Sequence, residues 1–141
     1  MDSENDIGKQ IQMLSRKITR KLNETFLSYN ITGVQAFILK YIYENSKNKK
    51  IYAKDLRQEF DLRKPTITGI LQIMQQNDLI ERKTQGKDAR LKEITITKKA
   101  SDIVNKIDLS IREVENKLLE NISKEEISYF LSVLKKMSTN L

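Results

Sequence analysis

The side chains best suited to chemistry are cations, hydroxyls and amides gathered near the middle of the chain. Arg63 and Lys64 stand directly before Pro65, Thr66, Thr68 and Gln72 in the run RKPTITGILQ. Guanidinium and ammonium groups bond phosphate oxygens, threonine bonds phosphate or touches a thymine methyl, and glutamine can bond adenine with donor and acceptor together. A second group, Lys87, Asp88 and Arg90, lies in QGKDARL, residues 85–91, a glycine-bearing segment long enough to project as a loop. A guanidinium on such a loop suits a narrow A·T-rich minor groove, where negative potential is enhanced. Asp88 would be repelled by phosphates there unless it orients Arg90 or another cation through a charge-assisted bond, so a structural role is expected of it. Lys54, Arg82, Lys83 and Lys92 can add phosphate contacts, although Arg82 and Lys83, as neighbours on a strand, cannot face one groove. Each lone lysine also has a blander use, as a merely solvated surface charge.

Other chemistries lack their atoms. The 141 residues include no histidine and no cysteine, which removes the usual zinc, haem and iron–sulfur sites, thiol nucleophiles, imidazole bases and disulfides. No GxxxxGKS or GxGxxG phosphate loop is present, so neither an enzyme nor a resident metal or cofactor is expected. Basic residues outnumber acidic ones 26 to 19, for a net charge of +7. The excess sits in residues 31–99, with 15 basic and 8 acidic side chains, while residues 1–30 carry 5 and 4 and residues 100–141 carry 6 and 7. The centre is the part arranged to meet an anion, nucleic acid first among them. No apolar run approaches the ~20 residues of a membrane span, and the polar start MDSENDIGKQ lacks the basic and apolar regions of a signal peptide. The expectation is a soluble cytoplasmic protein with no membrane partner.

The elements that must position these groups follow from apolar spacing. Ile7, Ile11, Leu14, Ile18, Leu22 and Phe26 recur in steps of three and four, predicting a long amphipathic helix to about Tyr29. Thr32 and Gln35 fit a capping box opening a second helix to about Asn45. Ala53, Leu56 and Phe60 mark a short third helix, and Pro65 at the first position signals a fourth, with Ile67, Ile70, Leu71 and Met74 inward. Removing that inward set leaves Pro65, Thr66, Thr68, Gly69 and Gln72 as the outward, reading face. Two short helices joined by about four residues are the layout of a helix-turn-helix. Alternation over Ile80–Thr84 and Lys92–Thr97 predicts two paired strands around the QGKDARL loop, making the unit a winged helix. After Thr97 as N-cap, Ile103, Ile107, Ile111, Val114 and Leu118 predict another long helix. Ser123 and Glu126 then cap a last helix with a wide apolar face of Phe130, Leu131, Val133, Leu134 and Met137.

The fold class expected is therefore mainly α with a small β-hairpin wing: a winged helix-turn-helix with long N- and C-terminal dimerisation helices. Residues 1–31 form the N-terminal dimerisation helix, 32–99 the winged helix-turn-helix and 100–141 the C-terminal dimerisation helices, all in one compact module. The terminal stripes exceed what a single winged helix can cover, so they either fold back on it or pack on a second copy, giving a two-fold dimer.

Lys64–Ala100, KPTITGILQIMQQNDLIERKTQGKDARLKEITITKKA, resembles the MarR family, the multiple-antibiotic-resistance-regulator type of bacterial transcription factor, and the likeness runs over essentially the whole chain. It lies in the recognition helix, the wing strand, the Asp-x-Arg of the wing tip filled here by Asp88 and Arg90, and the threonine-rich exit into the next helix. The resemblance implies a homodimer with intertwined terminal helices that represses nearby genes by binding a pseudo-palindromic double-stranded operator. It also implies a small aromatic effector in a cleft beneath the dimer helices, for which Phe26, Tyr29, Phe37 and Tyr41 are candidate linings beside their ordinary role in packing. The chain departs from the pattern at Asp78, where many members have glycine, at Ile73, where arginine is frequent, and at Gly69, where longer side chains are common. A winged helix serving protein–protein contact or antagonising another regulator, without selective DNA binding, is the alternative. RNA is a poorer fit, because a helix-turn-helix matches the B-form major groove better than the narrow A-form one.

Overall fold

The computed structural model describes residues 5–141, with backbone alone for Gln85, Asp88 and Ala89. Its described elements are α1 (Ile7–Thr25), a 3-10 turn (Leu27–Tyr29), α2 (Gly33–Asn45), α3 (Ala53–Phe60), α4 (Lys64–Gln76), β1 (Ile80–Gln85), β2 (Asp88–Ile96), α5 (Lys98–Leu118) and α6 (Lys124–Thr139). This is the expected winged helix-turn-helix with long terminal helices, and its ends are set by local chemistry. Asp6 accepts from the Lys9 amide at 3.2 Å to start α1. At α2 and α6 both halves of the expected capping boxes form: Gln35 N to Thr32 Oγ1 at 3.3 Å with Thr32 N to Gln35 Oε1 at 3.1 Å, and Glu126 N to Ser123 Oγ with Ser123 N to Glu126 Oε1, both 3.1 Å. Helix α1 stops at Thr25, short of the expected Tyr29. The chain tightens into the 3-10 turn and is released by Asn30 in a left-handed conformation, φ 57°.

Helix α4 begins at Lys64, so Pro65 occupies its second position rather than its first. Before it, Asp61 at φ 49° ends α3, and the three residues from Asp61 to Arg63 form the turn. Asp78, standing where glycine is frequent, takes φ 58°. The tight exit from α4 is thus kept by an aspartate, one of the few L-residues that tolerate that region.

The wing differs from expectation. The seven-residue loop predicted from Gln85 to Leu91 is a two-residue turn, Gly86 and Lys87, with Gly86 at φ 59°. The strands run antiparallel from Ile80 opposite Ile96 to Thr84 opposite Lys92, then slip so that Gln85 faces Asp88. Ala89, Arg90 and Leu91 are left in a bulge on β2, a device that bends a strand and re-aims its side chains.

The core lies where α2, α3, α4 and α5 meet the base of the wing. Ile38, Leu39, Ile42, Leu56, Ile67 and Ile94 are fully buried there or nearly so. Ile51, just before α3, accepts from the Ile94 amide at 2.8 Å and adds a third backbone segment to the hairpin. Thr97 is the joint between wing and α5: its hydroxyl caps the Ala100 amide at 3.2 Å and donates to the Asp78 carbonyl at 2.7 Å. Helix α1 buries only Leu22 and α6 buries nothing. Among the described residues no helix is long and apolar enough to cross a membrane.

Candidate nucleic-acid interface

Helix α4 packs by Ile67, Leu71 and Met74, while Ile70, expected inward, is half-buried. Pro65, Thr66, Thr68 and Gln72 are exposed, as expected of a reading face. Ile73 and Gln76 also stand exposed beside them. Their spacing from Gly69, four and seven residues, puts them on its face of the helix and was the available signal. Ile73, left out of the inward set and marked only as a departure from the family's frequent arginine, is thus a surface residue. Gly69 itself weakens the helix by about 0.5–1 kcal/mol relative to alanine, and a Cβ there would meet nothing within 4 Å.

Beside this face, α3, α4 and the wing enclose a cleft of about 290 Å³ whose lining includes Lys54, Arg57, Lys64, Arg82, Arg90 and Lys92. No carboxylate is among the described residues that line it. Basic side chains gathered along one recess give it a positive potential that attracts an anion. Arg57 was not foreseen; its place on the third helix became meaningful only once α3 packed beside the wing.

Arg82 and Lys83 divide as strand alternation requires: Arg82 lines the cleft, half-buried, and donates from Nε to Gln75 Oε1 at 2.7 Å, while Lys83 is exposed and absent from the lining. That bond ties wing to recognition helix. Arg63 is exposed at the N-cap of α4, and Lys87 is exposed at the wing's tip. Arg90 is exposed on β2, in the bulge and facing the cleft, rather than on a free loop. The side chain of Asp88, expected to orient Arg90, lies outside the described residues.

The four aromatics expected around an effector cleft separate. Phe37 lines a cavity of about 640 Å³ together with Leu14, Ile18, Phe60, Phe130 and Leu134. Phe26, in contrast, is fully buried and lies 6.5 Å from Tyr29, ring to ring, because it fills the core at the end of α1. Tyr41 meets Phe60 edge-on at 6.0 Å and carries the Lys49 ammonium 5.8 Å from its ring centre. The cavity's aromatic wall comes from Phe37, Phe60 and Phe130, the last two expected only as apolar positions of their own helices and brought beside Phe37 by packing.

With this geometry in view, likeness to known proteins is informative. A family model described as MarR family matches residues 29–91, from the 3-10 turn through the bulge of the wing. The transcription regulator MarR from Oenococcus oeni PSU-1 is 30% identical, with a TM-score of 0.81 over 95% of this chain and 99% of that one. The fold is shared with the S. aureus MepR–DNA complex, at TM-score 0.87 and 24% identity over 95% and 97% of the two chains. A MarR mutant from E. coli complexed with operator DNA also shares it, at 0.82 and 23% over 97% and 99%. Members of this family are transcription regulators, not enzymes. A full-length match at 30% identity, together with a family-model match spanning the helix-turn-helix and wing, establishes that the chain belongs to the MarR family of winged-helix transcription regulators.

Proposed function

We propose that the chain is a cytoplasmic homodimer that binds double-stranded DNA sequence-specifically and represses the genes it adjoins. The observation that carries this is the cationic cleft beside an uncharged, exposed helix face: one is suited to phosphate and the other to base edges. In each copy Thr66, Thr68 and Gln72 read the major groove, with Pro65 presenting the helix N-terminus to the backbone. Arg63, Lys64 and Lys87 neutralise phosphates, and Arg90, oriented by Asp88, enters the adjacent minor groove. Two copies on a pseudo-palindrome place these helices about 10 bp apart. The solved DNA complexes of the S. aureus and E. coli relatives support this use of the fold.

Residues 1–31 and 100–141 serve as the dimerisation helices around the DNA-binding region, 32–99. The exposure of Ile7, Ile11, Leu14, Phe130 and Leu131 supports this, since such stripes on one soluble chain need cover. Ile11, Leu14, Phe130 and Leu134 also line the 640 Å³ cavity, so a small aromatic effector bound there would share its walls with the dimer contact and shift the spacing of the reading helices.

The test is fluorescence anisotropy on the DNA upstream of the protein's own gene against a shuffled duplex, titrated with salt, for the native chain and Arg90→Ala. Selective binding of two chains is expected, with a log–log salt slope of about 0.9 per neutralised phosphate. Arg90→Ala should weaken binding and shallow the slope. Equal, weak binding to this duplex, the shuffled one and fragments spanning the genome would favour a protein partner instead.

A further inference from the structure

From Pro65 to Gln76 the recognition helix carries no Lys, Arg, Asp or Glu. Lys64, at the helix's first position, lines the cationic cleft to the side. Guanine shows two acceptors, N7 and O6, in the major groove, and the commonest specific reader is an Arg or Lys that bonds both. The outward face of α4 has neither. What it presents is methyl-bearing surface and amides: Ile73 at 49% exposure, the threonines, and exposed Gln72 and Gln76. Thymine alone among the four bases carries a methyl in that groove, and a glutamine amide matches the N7 and N6 edge of adenine.

Gly69 gives an independent indication. It lies one turn before Ile73, in the middle of the same face, and open space surrounds the place its Cβ would occupy. No protein atom needs a glycine there, and the helix would be stronger without one. A surface arriving from outside, close against the backbone, does need it.

Resting on the DNA-binding reading above, we propose that this chain reads A·T pairs through the major groove. Gly69 lets the helix seat closely, Ile73 packs on a thymine methyl, and no guanine is required beneath the helix. An isoleucine against cytosine meets a bare ring edge, and a Gln-bearing face leaves guanine O6 and N7 without their two-donor partner, so G·C pairs are disfavoured at these positions.

The full-length protein is used to select from a random duplex library, and the enriched duplex is then resynthesised with thymine replaced by uracil one position at a time. Uracil removes only the methyl. At the thymine beneath Ile73 the native chain should lose affinity about fourfold, the scale of one buried methyl group. Ile73→Ala should bind the thymine duplex that much more weakly and be indifferent to the replacement. Gly69→Ala should raise the thermal midpoint by a few degrees while lowering affinity, a combination that misfolding cannot produce. Invariant G·C pairs beneath the helix, equal affinity for thymine and uracil duplexes at every position, or undiminished binding by Gly69→Ala would each overturn the inference while leaving selective DNA binding intact. Failure to enrich any duplex would overturn the DNA-binding reading and this inference with it.

Discussion

The centre of this chain and its outer helices α1 and α6 both carry apolar stripes, and these meet opposite fates. In the segment from α3 through the wing, apolar positions such as Leu56, Ile67, Met74 and Ile94 lose all or nearly all contact with solvent. In α6 the stripe of Phe130, Leu131 and Leu134 stays exposed, by 53%, 57% and 37%. An amphipathic stripe therefore states that a face needs cover without stating whose atoms provide it. The centre has its cover within one chain, shared by α5 through Ile107 and Ile111; α6 and the exposed stripe of α1, in the function proposed above, take theirs from a second copy.

The sharpest way to break the contrast is to hollow the centre. Ile67 is fully buried on the inner side of α4, where a cavity cannot collapse without moving the recognition helix. Ile67→Ala should destabilise the fold by about 2–5 kcal/mol, read as a lowered urea midpoint, with loss of DNA binding in parallel. An unchanged midpoint would mean the central core is plastic.

A smaller effect is expected from the other side of the comparison. Burying a phenylalanine at an interface stabilises by about 1.5–3 kcal/mol, so Phe130→Asp should raise the dimer dissociation constant by tenfold or more in sedimentation equilibrium. The helical circular dichroism of each chain should persist, because Phe130 belongs to no core within its own chain. A dissociation constant that does not move would remove α6 from the dimer contact.

What was legible beforehand follows the same division. Signals confined to four residues were readable: Thr32 with Gln35 and Ser123 with Glu126 begin their helices as the capping box requires. The strand alternation through Arg82 and Lys83 showed that only one of the two could join the wing's inner side, and packing made it Arg82. The wing tip was not legible, since a two-residue turn plus a bulge uses the same residues as an open loop and differs only in register. Arg57 and Phe60 gained their roles from the packing of α3 against distant elements. Ile73 is more instructive: it was marked only as a departure from the family's frequent arginine, and periodicity, which sorts residues by polarity, did not give its 49% exposure.

The smallest expected effect lies on the seam between the two regions, where α5 crosses α2. Asp108 on α5 has one oxygen 3.0 Å from Lys40 Nζ on α2 and the other 3.0 Å from Arg112 Nε. The first contact is an ion pair rather than a well-aligned hydrogen bond. The Lys40 ammonium, with Arg112 adding to it, holds the Asp108 carboxyl below its ordinary value of 3.8. A carboxyl with a depressed folded value stabilises the fold above its unfolded value and loses that contribution as pH falls through the folded one. The seam should thus be intact at neutral pH and weaken only below about pH 4. With the side chain a quarter exposed, solvent screening keeps the contribution under about 1 kcal/mol. Asp108→Asn should accordingly lower the urea midpoint slightly at pH 7, and the difference from the native chain should vanish toward pH 2. A difference that survives in acid would mean that Asp108 holds the seam by packing and not by charge.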